Sequence, residues 1–204
     1  MSSKQEILSK VAQHLSQRSE MKVLKRDDKK LVTMEFKDSA PLVIVTGVYD
    51  DITPQMWHWY QRDLTVHCSK VDKAIQMTVL SANDDSDSTL LLQRIITPMF
   101  VKNRVIIQRA WADYNPNGQS VYCCTSFGND EQYAKFANPK DVISTCHVAY
   151  TMVEAVSGGR LNIVHVLHID VKGSLPDWVK IKIGEEQAKG IDQVVAYIRK
   201  NYNE

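Results

Sequence analysis

The stretch LNIVHVLHIDVKGSLPDW, residues 161–178, is where the chain changes from strands to a helix. Its first ten residues are rich in Val, Ile and Leu and predict a strand. Gly173 and Pro176 end that strand, and proline is tolerated in the first turn of a helix. Beyond it, apolar residues follow helical spacing at Ile191, Val194, Val195, Ile198 and Tyr202. We therefore predict a closing helix over residues 176–202.

Upstream of this stretch, a period of two dominates the hydrophobic pattern. It predicts strands at residues 31–36, 42–49, 64–70, 74–81, 89–96, 105–113, 120–127, 142–156 and 161–170. The breaks between them are rich in Asn, Asp, Gly and Ser, as in the runs at 83–87, 115–118 and 157–159. Short polar connections between successive strands indicate hairpins, and hence an antiparallel sheet.

Two shorter helices are also predicted, one at the start of the chain and one between the strands at 42–49 and 64–70. Ser3 and Glu6 have the spacing of a capping box and open a helix over residues 3–17. Thr53 and Pro54 suit the first turn of a second helix over 53–62. The polar run at 17–30 fits either a connection or an edge hairpin.

A long helix cannot bury its apolar stripe alone, so the closing helix must lie against the concave face of the sheet. The predicted fold class is α+β: a curved antiparallel β-sheet wrapped around a long C-terminal helix. The length of 204 residues suits one domain, 1–204, and a core of that size needs no metal or disulfide.

Composition excludes several classes of protein. The net charge of +1 argues against electrostatic binding to nucleic acid. The four cysteines have no CxxC spacing, so no metal site is expected. No apolar run approaches a membrane span or a signal peptide, so we expect a cytoplasmic protein with reduced thiols.

Residues 165–178 resemble the signature of START domains, the StAR-related lipid-transfer family, in which a last strand runs through Asp-x-Lys-Gly-x-Leu-Pro into the closing helix. The loop at 96–104 is similar to the family's loop before a central strand, and the aromatic helix with Trp57 and Trp59 stands where members carry one. The order of elements is similar from about residue 43 to 201. Val105 departs from the family's motif, which has Asp after the arginine, and the spacing from Arg104 to Arg109 is one residue short.

The resemblance implies a helix-grip fold that binds one lipid in an internal hydrophobic tunnel and transfers it between membranes. It implies no catalytic residue and no cofactor. Its partners would be a sterol, phospholipid or sphingolipid, with transient membrane contact and no nucleic acid, and the protein would be a monomer. The implied lipid-binding residues are Arg109, Arg94, Asp170 and Trp178. The implied membrane gate is Met99, Phe100 and Val101.

The residues themselves leave alternatives open. Both arginines also fit the solvated face of their strands, which the pattern favours for Arg94. Asp170 suits a strand end, and Trp178 suits core packing between helix and sheet. The apolar loop at 98–101 fits a segment folded back into the core. His165 and His168 point to opposite faces of one strand and cannot form a chelating pair. The alternative function is an enzyme on a related helix-grip fold, such as a cyclase or a thioesterase-like protein.

Overall fold

Ten strands form one sheet in the part of the chain that the computed structural model describes, residues 3–83, 88–97, 102–127, 130–173 and 176–203. The strands are β1 (Lys22–Arg26), β2 (Lys30–Lys37), β3 (Ala40–Tyr49), β4 (Ile75–Asn83), β5 (Ser88–Ile95), β6 (Arg104–Tyr114), β7 (Ser120–Ser126), β8 (Val142–Ile143), β9 (Thr145–Val156) and β10 (Arg160–Asp170). The helices are α1 (Lys4–Ser16), α2 (Pro54–Arg62), α3 (Leu64–Val71), α4 (Asp130–Phe136) and α5 (Asp177–Asn201).

The sheet has the strand order β1-β2-β3-β10-β9-β7-β6-β5-β4. Its neighbours pair antiparallel, and the two-residue β8 adds a parallel pairing to β6. The edge strands β1 and β4 each carry an irregularity, where the register shifts between Val23 and Lys25 and between Val79 and Ser81. This arrangement confirms the predicted antiparallel sheet and α+β class.

The outer face of the sheet is the one covered by α1 and α4. Ser3 caps α1 through the predicted capping box with Glu6, and Ile7 and Val11 of that helix pack on the middle of the sheet. Tyr133 of α4 packs on the outer side of β6, where its hydroxyl accepts a hydrogen bond from the backbone amide of Ile107 at 3.1 Å. Both helices shield strand residues that would otherwise face water.

The inner face is covered by α2, α3 and α5. The C-terminal half of α5 packs tightly on it, because Ile191, Val195 and Ile198 are buried against strands β2, β3 and β10. Lys30 of β2 and Tyr49 of β3 both donate to the carboxylate of Asp192, which ties this half of α5 to the sheet. The predicted packing of the closing helix is confirmed here.

Two details of the predicted secondary structure are wrong, and one helix is missing from the prediction. Residues 64–70 form the helix α3 rather than a strand. Their Thr and Val residues suit a strand, but the side chains that the helix buries are those of His67 and Cys68. The predicted strand at 142–156 is split at Ser144 into β8 and β9. The helix α4 was not predicted, since its sequence DEQYAKF is short and mostly polar.

Candidate ligand-binding site

A cavity of about 340 Å³ lies between helices α2 and α3 and the strands β4 to β7. Leu64 and Thr65 line it from the helices, and Leu91, Ala110 and Tyr122 line it from the sheet. Protein interiors are packed without gaps of this size, so the space requires small side chains. Ala110 and its neighbour on the same face, Ala112, provide them.

A row of polar side chains crosses the inner face beside this cavity. His165 of β10, Thr151 of β9 and Tyr122 of β7 stand directly opposite one another in the strand pairing, so they share one face. Nδ1 of His165 and Oγ1 of Thr151 are hydrogen-bonded at 2.9 Å. Among the residues that the structure describes, Nε2 of His165 and the hydroxyl of Tyr122 are buried without a hydrogen-bond partner. We call these three residues the polar row.

The polar row is uncharged near neutral pH. Burial lowers the pKa of His165 to about 4, because a charged imidazolium loses its solvation in the interior. Burial, and then the nearby thiol of Cys124, raises the pKa of the Tyr122 hydroxyl above its ordinary value. Both groups therefore present neutral hydrogen-bonding atoms to the inner face.

Two thiols lie next to the polar row. Cys124 donates to the side-chain oxygen of the buried Gln108 at 3.2 Å. Cys146 lies close to Cys124, and that contact together with burial raises the pKa of the Cys146 thiol. A thiol held protonated is a weak nucleophile, so Cys146 does not supply reactive chemistry to the site.

The cations at the inner face of the described residues have protein partners. Arg62, which lines the cavity, pairs with Asp63 at 2.9 Å. Lys30 donates to Asp192 of α5. Arg104, buried at the start of β6, donates to the backbone carbonyls of Lys102, Val171 and Lys172, at 3.3 Å for Val171 and 3.4 Å for Lys172. These cations make their hydrogen bonds within the protein and so stabilise the fold.

The structure places Arg109 and Arg94 on the outer face. Alternate residues of a strand share one face, and Arg109 alternates with Val105 and Ile107, which pack against α4. The Arg109 guanidinium lies 4.1 Å from the centre of the Phe127 ring. Arg94 pairs with Asp141 at 3.2 Å. This placement corrects the expectation that Arg109 enters the tunnel, and it puts Arg94 on the side away from the inner face.

Asp170 and Trp178 are not among the residues that line this cavity. Asp170 ends β10, and its carboxylate accepts from the backbone amide of Lys172 at 2.9 Å, as suits a strand-terminating residue. Trp178, in the first turn of α5, is 68% exposed, so packing in the core is wrong for it. The predicted gate, Met99, Phe100 and Val101, lies outside the described residues.

The polar row is the feature that reasoning from the sequence missed. Its signal is present in β10, where His165 interrupts the alternate apolar residues Leu161, Ile163, Leu167 and Ile169. That series marks one buried face of a strand, and a histidine within it is a buried polar group. The partners Thr151 and Tyr122 required the register of β7, β9 and β10, which the sequence does not provide.

The sheet order, the C-terminal helix packed on the inner face and the adjoining cavity define a START-like domain with the helix-grip fold. No protein-family model matches the sequence, and no curated protein matches it. The fold is similar to that of human STARD10, with a TM-score of 0.76 and 13% identity over 98% of this chain and 79% of that one.

Two further human structures show the same likeness. StAR-related lipid transfer protein 5 has a TM-score of 0.73 and 14% identity, over 96% of this chain and 92% of that one. The lipid transfer and protein localization domain of StarD13 has a TM-score of 0.66 and 15% identity, over 95% and 96%. In the described residues, no helix is long and apolar enough to cross a bilayer.

Proposed function

We propose that this protein binds one lipid molecule against the inner face of its sheet and carries it between membranes. The observation that carries the proposal is the cavity of about 340 Å³ at the inner face of a START-like fold. Its volume lies within the range of small-molecule sites and corresponds to about eleven water molecules. It therefore suits a head group with a short apolar segment, or a compact lipid.

The energetics favour carriage. Burying a lipid gains about 0.8 kcal/mol for each CH₂ removed from water. Extraction from a bilayer then exchanges one apolar environment for another, and the protein has only to shield its cargo. Leu64, Leu91 and Ala110 provide apolar lining for that purpose.

The alternative of an enzyme on the same fold draws on one observation, the buried imidazole of His165. A general acid or base works best with a pKa near the operating pH. The pKa of His165 is about 4 and that of Tyr122 lies above 10, both far from neutrality. These values favour a role in binding over proton transfer.

Native mass spectrometry of the protein purified from cells tests binding, and a donor–acceptor vesicle assay with fluorescent sterol and phospholipid tests transfer. Ala110→Phe fills the cavity and is expected to abolish co-purified lipid and stimulated transfer. Ala12→Phe, on the exposed side of α1, is the matched control and should leave both unchanged.

The results separate three functions. Chemically intact lipid that is lost in Ala110→Phe supports carriage. Lipid recovered with a changed covalent structure would favour the enzyme. A wild-type protein that neither retains nor transfers any lipid would overturn the proposal and favour a third function, a protein-interaction domain without a ligand.

We also propose that Trp178 contacts the membrane during transfer. Its ring is 68% exposed in the first turn of α5, and Trp favours the membrane–water interface. Trp178→Ser should slow vesicle transfer several-fold while the affinity for a water-soluble lipid analogue stays the same. The exposed Tyr114→Ser, at the end of β6, is a control for loss of a surface aromatic ring. Equal losses of transfer and affinity in Trp178→Ser would overturn this role.

A further inference from the structure

We infer that the polar row selects an uncharged lipid that carries a hydroxyl group on its head. This inference rests on the proposed lipid-binding function and names the ligand class for that same site. Its basis is a pair of buried polar atoms, His165 Nε2 and Tyr122 Oη, that have no hydrogen-bond partner within the described residues, although the weakly hydrogen-bonding thiol of Cys124 lies beside Tyr122.

Buried polar atoms are nearly always hydrogen-bonded, since an unmade bond in the interior carries a desolvation penalty. Two such atoms on one row of a sheet, beside a cavity, indicate that their partner comes from a ligand. Thr151 lies between them in the register and fixes the ring of His165 through Nδ1. The row therefore offers two prepared positions for a head group.

A hydroxyl group fits these positions better than a group that only donates or only accepts. A neutral imidazole carries its hydrogen on one nitrogen, so Nε2 of His165 donates in one tautomer and accepts in the other. Thr151 permits either, because its own hydroxyl both donates and accepts. Tyr122 has the same dual character. A hydroxyl group on the ligand both donates and accepts, so it can pair with either tautomer of His165 and with the Tyr122 hydroxyl as donor or acceptor.

Charged head groups are disfavoured because nothing on the row compensates them. The inner-face cations Lys30 and Arg104 are bonded to Asp192 and to backbone carbonyls, and Arg62 of the cavity lining is paired with Asp63 at 2.9 Å. Arg94 and Arg109 lie on the outer face. A phosphate or sulfate at the polar row would be removed from water without a counter-ion, which is strongly unfavourable. The polar row is consequently selective against anionic lipids.

The test measures binding of matched probes to the full chain by competition with a fluorescent sterol. The first set is cholesterol, cholesteryl sulfate and cholestane, which share one ring system. The second is dioctanoylglycerol and dioctanoyl phosphatidic acid. In each set the uncharged hydroxyl-bearing probe is expected to bind about tenfold or more tightly than the others.

Two variants connect that preference to the row. His165→Phe and Tyr122→Phe remove the unpartnered atoms and should each reduce the preference for the hydroxyl probe over cholestane about tenfold or to none. Tyr150→Phe, one residue from Thr151 on the outer face, is the matched control and should keep the full preference. In wild-type protein labelled with ¹⁵N-histidine, the Nε2 resonance of His165 should shift when the hydroxyl probe is added and stay in place with cholestane.

Each outcome is decisive. A charged probe that binds as tightly as its neutral partner overturns the inference and leaves lipid binding standing. A preference that survives in both Phe variants overturns the assignment to the polar row. A wild-type protein that binds none of the five probes overturns the proposed function, and this inference with it.

Discussion

The two halves of the inner face are built on the same sheet but packed in opposite ways. The closed half, formed by β2, β3 and β10, lies under the C-terminal half of α5 and is filled by Ile191, Val195 and Ile198. The open half, formed by β4 to β7, lies under α2 and α3 and holds the cavity. The sequence predicts that the closing helix covers the ligand. In the structure, the side chains in the C-terminal half of α5 pack directly on the inner face.

Side-chain volume accounts for the difference. Branched apolar residues from helix and sheet meet in the closed half, whereas β6 presents Ala110 and Ala112 to the open half. The closed half also has a polar tie, from Lys30 and Tyr49 to Asp192. Helix packing and the cavity therefore occupy different parts of the inner face. Strand β10 contributes to both parts, through Ile163 under α5 and His165 in the polar row.

The largest expected effect is loss of stability in the closed half. Ile198 is fully buried, and Ile198→Ala should lower the free energy of unfolding by about 2–5 kcal/mol, because a cavity replaces its packed side chain. Urea denaturation measures this change from the midpoint at constant slope. Leu91→Ala, beside the existing cavity, is the comparison variant and should lower the free energy of unfolding by less than half as much. Equal losses would contradict the division into two halves.

An intermediate effect is expected from pH. Burial, followed by Lys37, His168 and Lys10, lowers the pKa of His14 on the outer face to about 4, and burial does the same for His165 on the inner face. Both have a pKa near 6.5 in the unfolded chain. Between pH 6.5 and 4 the unfolded chain therefore binds protons that the folded chain does not, and stability falls as the pH falls.

Each of the two histidines should lower the free energy of unfolding by on the order of 2 kcal/mol between pH 6.5 and 4. Denaturation at pH 7, 5.5 and 4.5 measures the loss. His14→Phe and His165→Phe should each flatten the profile, and only His165→Phe should change lipid selectivity. A wild-type stability that is constant from pH 7 to 4.5 would contradict the assignment of both histidines as neutral.

The smallest effect is expected at Gly190 in α5. A methyl group added there meets no atom within 4 Å, and alanine is favoured over glycine in a helix by about 1 kcal/mol. Gly190→Ala should therefore raise the thermal midpoint by a few degrees. Gly118→Ala is the matched control with the opposite sign, because the φ of 75° at that turn disfavours a side chain. A destabilised Gly190→Ala would show that the helix needs glycine for closer packing.

Local signals predicted the helices at the two ends of the fold. The capping box at Ser3 and the apolar face from Ile191 to Tyr202 are both properties of residues close in sequence, and the structure has α1 and α5 where they indicate. The hairpin connections likewise follow from their turn residues. These features need no knowledge of the tertiary structure.

The face of β6 on which Arg109 lies could be determined only from the tertiary structure. Val105, Ile106 and Ile107 are consecutive and all fully buried, since the outer face is covered by α4 and the inner face also lies in the interior. When both faces of a strand are buried, alternation no longer shows which side faces a ligand. An arginine on such a strand has no assigned face until its neighbours are known.

The two edge strands have a consequence for copies of the protein that meet in solution. A free strand edge is a template on which another chain can add and begin aggregation. The edge strand β1 carries the charged residues Lys22, Lys25 and Arg26. Its backbone pairing is also interrupted by the register shift after Val23. In β4 a second shift between Val79 and Ser81 interrupts the ladder. Like-charge repulsion and broken backbone pairing oppose fibril growth from either side, which protects a sheet of this size at high concentration.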